Sequence, residues 1–115
     1  MNFNNKNNSK LLCFLGLTRK SGNLYLGMNT VKNNLKKILL ILVTKDISEN
    51  SFEEINFISR KNNINIKKIN YIKDDINIYI GKYSAVIGVS DKNFVDKINN
   101  LISQEELHDT KIQST

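Results

Sequence analysis

ILLILVT, residues 38 to 44, is the stretch on which the reading of this chain turns. A continuous run of branched apolar residues, with no polar alternation and too short for a helix, describes a strand covered on both faces. AVIGV, residues 85 to 89, is a second such run. Two strands that must be hidden from water on both sides call for helices above and below the sheet that contains them.

The flanking segments supply those helices. After the first run, Asp46 to Ser51 reads as a turn, with Asn50 or Ser51 as cap of a helix through Asn62 that carries Phe52, Ile55 and Ile58 on one side. Ile64, Ile66, Ile69 and Tyr71 mark a further strand. Asp74 and Asp75 open a short helix that runs to Ile80 and stops at Gly81. Beyond the second run, Ser90 or Asp91 caps a helix with Phe94, Val95, Ile98 and Ile102 inward. Upstream, Ser9 caps a helix to about residue 20, with Leu11, Leu12 and Leu15 at helical spacing and Ser21-Gly22 as its stop. Leu24 to Leu26 is extended, Gly27 closes it, and Asn29 or Thr30 caps a second helix that turns Val31 and Leu35 inward. The expected fold is therefore α/β: a three-layer α/β/α sandwich around a central mixed sheet of about four strands. Residues 9 to 105 form one domain, 1 to 8 are expected to be a disordered Asn-rich tail, and 106 to 115 a frayed polar one.

A length of 115 residues suits one core without staples, and the single Cys13 excludes a disulfide framework and a Cys/His metal cluster. Between Leu12 and Phe14, Cys13 reads as a packed thiol in a reducing compartment. No apolar run approaches the roughly 20 residues of a membrane helix, so a protein that stays in the cytoplasm, away from membranes, is expected. Net charge is +6 and unevenly placed: residues 1 to 37 hold seven basic residues and no acid, whereas the remainder holds ten against eleven. That asymmetry points to a polyanionic partner.

Catalysis finds no support. His108 stands alone in the polar tail; the adjacent pairs Glu53-Glu54 and Asp74-Asp75 diverge and suit helix starts better than acid/base work. The five glycines form neither a phosphate loop nor a dinucleotide fingerprint. No catalytic residue, metal, cofactor or small-molecule substrate is expected, which leaves binding as the functional class.

The basic third contains a candidate RNA surface. Gly27 running into a helix start presents backbone N–H groups to phosphate. Asn29, Thr30 and Asn33 offer hydrogen bonds to base edges or 2′-hydroxyls, and Lys32 and Lys36 follow the backbone. A second candidate is the loop Gly81-Lys82-Tyr83-Ser84, in which Tyr83 can stack on an unpaired base. Each also has a plainer reading, as a helix cap and an ordinary turn.

KLLCFLGLTRKSGNLYLGMNTV, ILLILVTKDISEN and YIGKYSAVIGVSDKNFVDKI, in that order between Lys10 and Ile102, resemble the bacterial YlxQ-type proteins, relatives of the archaeal ribosomal protein L-seven-Ae. The resemblance implies an α/β/α sandwich that binds kinked RNA stems through a G-x-N-E-x-x-K signature at the second helix. Gly27 and Asn29 match that signature; Thr30 replaces its acid and Asn33 its lysine, with Lys32 one position early. It further implies RNA contacts at Lys82, Tyr83 and Ser84, in a shortened loop before the last strand, and phosphate contacts at the basic pair Arg19 and Lys20. The expected partner is structured RNA, with ribosomal RNA or a ribosome-associated RNA as candidates, bound by a monomer. The competing expectation is a protein-interaction module of the same fold that has lost specific RNA recognition.

Overall fold

The computed structural model describes residues 9–113, with side chains described as far as residue 106. The expected tail at 1–8 lies outside the described residues, as does the His108 side chain. Five helices and four strands alternate: α1 Lys10–Lys20, β1 Leu24–Leu26, α2 Met28–Lys32, β2 Leu40–Thr44, α3 Glu49–Lys61, β3 Asn65–Ile69, α4 Lys73–Ile80, β4 Val86–Val89 and α5 Lys92–Gln113. The strand order is β1-β4-β2-β3, with β2 and β3 parallel and the other two pairings antiparallel. This is the mixed four-stranded sheet expected from sequence, and the two apolar runs are its central strands.

Strand alternation divides the core into two layers. Leu40, Leu42, Ile87 and Val89 point to one face, where α1, α4 and α5 supply Leu11, Leu12, Leu15, Ile76, Ile80 and Ile98. Ile41, Val43 and Val86 point to the other, against Val31 of α2 and Ile55 of α3. Helices thus cover both faces, and each fully buried Leu or Ile contributes roughly 1.5–3 kcal/mol of hydrophobic stabilisation.

Several local expectations are corrected. Cys13 is exposed. It follows the helical period: Leu11, Leu12 and Leu15 take the inward side of α1, and Lys10, Cys13, Leu17 and Lys20 share the outward one. The second helix begins one residue after Gly27, which is itself the N-cap, so neither Asn29 nor Thr30 caps it; it ends at Lys32, and 33–37 is a turn. Ser48, not Asn50 or Ser51, caps α3, accepting from the Ser51 N–H at 3.2 Å. The last helix runs on to Gln113, past Leu107, where the sequence predicts a polar tail. Ser9 caps α1 as expected, accepting from the Leu12 N–H at 3.1 Å, and the Asp75 carboxylate accepts from the Ile72 N–H at 2.9 Å at the start of α4.

One polar cluster ties three distant elements together. The Tyr71 hydroxyl lies 2.7 Å from Ser9 Oγ and donates to Glu105 Oε2 at 2.7 Å, joining the start of α1, the end of β3 and the body of α5. Burial, more than the nearby Glu105, pushes the Tyr71 phenol well above its ordinary value. Its folded pKa is raised, so the associated stability is complete below the unfolded value near 10 and is lost as pH rises above it. Tyr71→Phe should therefore lower stability by about 1 kcal/mol at neutral pH. It should also flatten the fall in stability between pH 9 and 11, read by urea unfolding at both pH values.

Candidate nucleic-acid interface

The register of the sheet brings four loops to one end. β1 ends where β4 begins, and the Gly27 N–H donates to the Val86 carbonyl at 2.8 Å. β2 ends beside them, with the Thr44 N–H on the Ala85 carbonyl at 3.0 Å, and the Lys45 N–H reaches the Tyr71 carbonyl at 3.0 Å at the end of β3. The Gly27 turn, the segment after β2, the segment after β3 and the 81–85 loop are thereby neighbours.

Gly27 adopts φ 100° and ψ 153°, a conformation costly for any residue with a Cβ, and it turns the chain from β1 straight into α2. Lys82 is drawn to this turn: its ammonium donates to the Leu26 carbonyl at 3.4 Å, and it is the nearest group to the vacant Cβ direction of Gly27, at 4.0 Å. The two candidate RNA elements, 54 positions apart in sequence, thus meet. Asn29 is exposed on the first turn of α2 and Thr30 half-buried beside it. Tyr83 is 57% exposed, with the Lys73 ammonium 5.6 Å from its ring centroid. An aromatic face flanked by a cation is a stacking platform for an unpaired base.

Other candidates are placed differently. Arg19 holds the fold together, its Nη1 donating to the Ile80 carbonyl at 2.7 Å where α4 gives way to the 81–85 loop. Lys20 is exposed on the outward face of α1. Lys32 is paired with Glu54 of α3 at 2.5 Å, so much of its charge is already met. Ser84 is only 4% exposed, under the loop that displays Tyr83, and its hydroxyl has no partner among the described residues. Asn33 and Lys36 lie at the opposite end of α2 from Gly27, beyond its last turn.

Two lysines escaped the sequence reading. Lys45, exposed after β2, and Lys73, at the start of α4, join Lys82 at the loop end. Lys45 donates to Asn70 Oδ1 at 3.3 Å, and the Asp46 carboxylate is occupied in accepting from the Lys73 N–H at 3.1 Å. Neither lysine belongs to a binding motif of its own, and the strand order reveals their place. Among the described residues no group of three His, Cys, Asp or Glu side chains is arranged to hold a metal, and no helix is long and apolar enough to cross a membrane.

No protein-family model matches the sequence, and no curated protein matches it. Solved structures do match. A Bacillus halodurans protein of unknown function superposes with a TM-score of 0.74 at 24% identity, over 83% of this chain and 98% of that one. A Giardia lamblia 15.5 kD RNA-binding protein superposes with a TM-score of 0.59 at 14% identity, over 82% of this chain and 79% of that one. At these identities the likeness is one of architecture, and the chain shares the fold of both proteins.

Proposed function

We propose that this protein binds structured, kink-turn-like RNA at the loop end of its sheet, without catalysis or cofactor. The observation that carries the reading is the meeting of Lys82 with the Gly27 turn, which places a phosphate-seeking helix start beside a loop bearing an exposed, cation-flanked aromatic. Gly27 and the first turn of α2 receive a backbone phosphate, Asn29 and Thr30 address base edges, Tyr83 stacks on an extruded base, and Lys45, Lys73 and Lys82 neutralise the flanking backbone. The fold shared with an RNA-binding protein supports the same reading, as does the resemblance of three long segments to the YlxQ-type branch of the kink-turn-binding superfamily. On this view the protein acts as a monomer in the cytoplasm, and ribosomal RNA is the first candidate partner.

The test compares a kink-turn RNA with an unkinked duplex of equal length at two salt concentrations. Preference for the kinked RNA by roughly tenfold or more, persisting at the higher salt, is the expected result, because base and shape contacts are less salt-dependent than phosphate contacts. Equal, steeply salt-dependent binding to both would reject kink recognition. No RNA binding at all would favour the protein-interaction reading.

A further inference from the structure

The far end of α2 opens onto a separate concavity of about 510 Å³. Lys32, Asn33, Asn34, Lys36, Lys37 and Asn62 line it, with Leu35, and no acidic side chain is among the lining residues. Its position is fixed by the register that fixes the loop end: residues 33–37 lead into the start of β2, and Asn62 closes α3 just before the start of β3, so the concavity sits at the opposite end of the sheet from Gly27.

The lining is mixed, with lysine and asparagine side chains beside Leu35. Helix C-termini ordinarily present bare carbonyls, which repel anions. Here two amides answer them in part: Asn34 Nδ2 donates to the Thr30 carbonyl and Asn62 Nδ2 to the Ile58 carbonyl, each at 2.8 Å. Lys32 is engaged by Glu54, but Lys36 and Lys37 are exposed and bear no ion pair among the described residues. Arg60 and Lys61, exposed in the last turn of α3, add positive charge beside Asn62.

Between the two ends lies a short path. α2 has five residues and is about 7.5 Å long. Asn29 and Asn33, one turn apart and both exposed, stand along it, and Lys36 lies further on.

We infer that the concavity of Lys36, Lys37 and Asn33 is a second phosphate-contact site, which receives the backbone of an RNA arm extending along α2 from the loop end. The inference rests on the proposed RNA-binding function and adds to it a second anchor and a direction for the bound strand. It assigns to Lys36 and Lys37 the role of lengthening the footprint rather than recognising the kink.

The test uses the full chain and two kink-turn RNAs, one trimmed to the kink and one with a longer flanking arm, each titrated against wild type and a Lys36→Glu/Lys37→Glu variant whose fold is checked by circular dichroism. Wild type is expected to bind the longer RNA on the order of tenfold more tightly, with a salt slope steeper by about two. The variant should lose that gain while binding the trimmed RNA nearly as wild type does. Equal affinity of wild type for both RNAs would overturn the inference and leave the proposed function standing, with the concavity then free for an acidic protein segment. A variant that weakens both RNAs equally would also overturn it, and absence of binding to either RNA would overturn inference and function together.

Discussion

Replacing Lys45 and Lys82 together by glutamate is expected to weaken RNA binding by about 100-fold at low salt. Each exchange removes a positive charge and adds a negative one beside the strand, a change of two charge units per position. A unit-charge contact at about 4 Å is worth roughly 1 kcal/mol in bulk water and less as salt rises. Four such units, partly screened, give about 2.7 kcal/mol, which is the stated loss. The salt slope should become shallower by about two, since two counterion-releasing contacts disappear. Filter binding or fluorescence anisotropy across a salt series measures both quantities. Lys92→Glu with Lys97→Glu, both exposed on α5, changes net charge by the same amount and serves as the control. A matching loss in the control would mean that overall charge, not the loop end, governs binding.

Gly88→Val should destabilise the fold by about 3 kcal/mol, although valine has the higher strand propensity. Gly88 sits in the central strand β4, paired with Ile41 on one side and Tyr25 on the other. A Cβ there would lie 2.5 Å from Ile38 Cδ1, 3.0 Å from its Cγ1 and 3.3 Å from Val31 Cγ2. The absence of a side chain lets α2 and the residues before β2 settle directly on the sheet. Propensity spans about 1 kcal/mol, whereas overpacking a full core costs about 1–3 kcal/mol or more, so packing decides the sign. The expected signature in urea is a lowered midpoint with an unchanged slope. A neutral or stabilising outcome would mean that α2 can lift from β4 at little cost.

The fold was legible because its deciding signals are local and strong. ILLILVT and AVIGV become β2 and β4, and the helical spacing of Leu11, Leu12 and Leu15 places α1. Cap positions were less legible in a chain so rich in Asn and Ser: Gly27 and Ser48 cap where Asn29 or Thr30 and Asn50 or Ser51 were expected, because several neighbouring residues carry the same capping chemistry. The apolar neighbours of Cys13 suggest burial, but its angular position on α1 turns it outward. The site divides along similar lines. Gly27 and Lys82 both stand out in the sequence and do meet, but nothing local distinguishes Lys45 and Lys73 from the other lysines, and the strand order brings them to the site. Arg19, Lys32 and Lys36 show the converse: a basic residue in sequence becomes a brace to Ile80, a partner of Glu54, or a member of a different surface.

The strand order also sets a timetable for assembly. β2 and β3 are joined through α3 and lie close in sequence, whereas β1, an edge strand paired with β4, waits for residues 86 to 89. The Gly27 turn, hung on the Val86 carbonyl, waits with it. A nascent chain that has reached the end of α4 therefore holds most of its basic residues and half of its sheet, yet has no fixed helix start to offer a phosphate. The Gly27 turn is thus completed last, when one four-residue strand enters between two others.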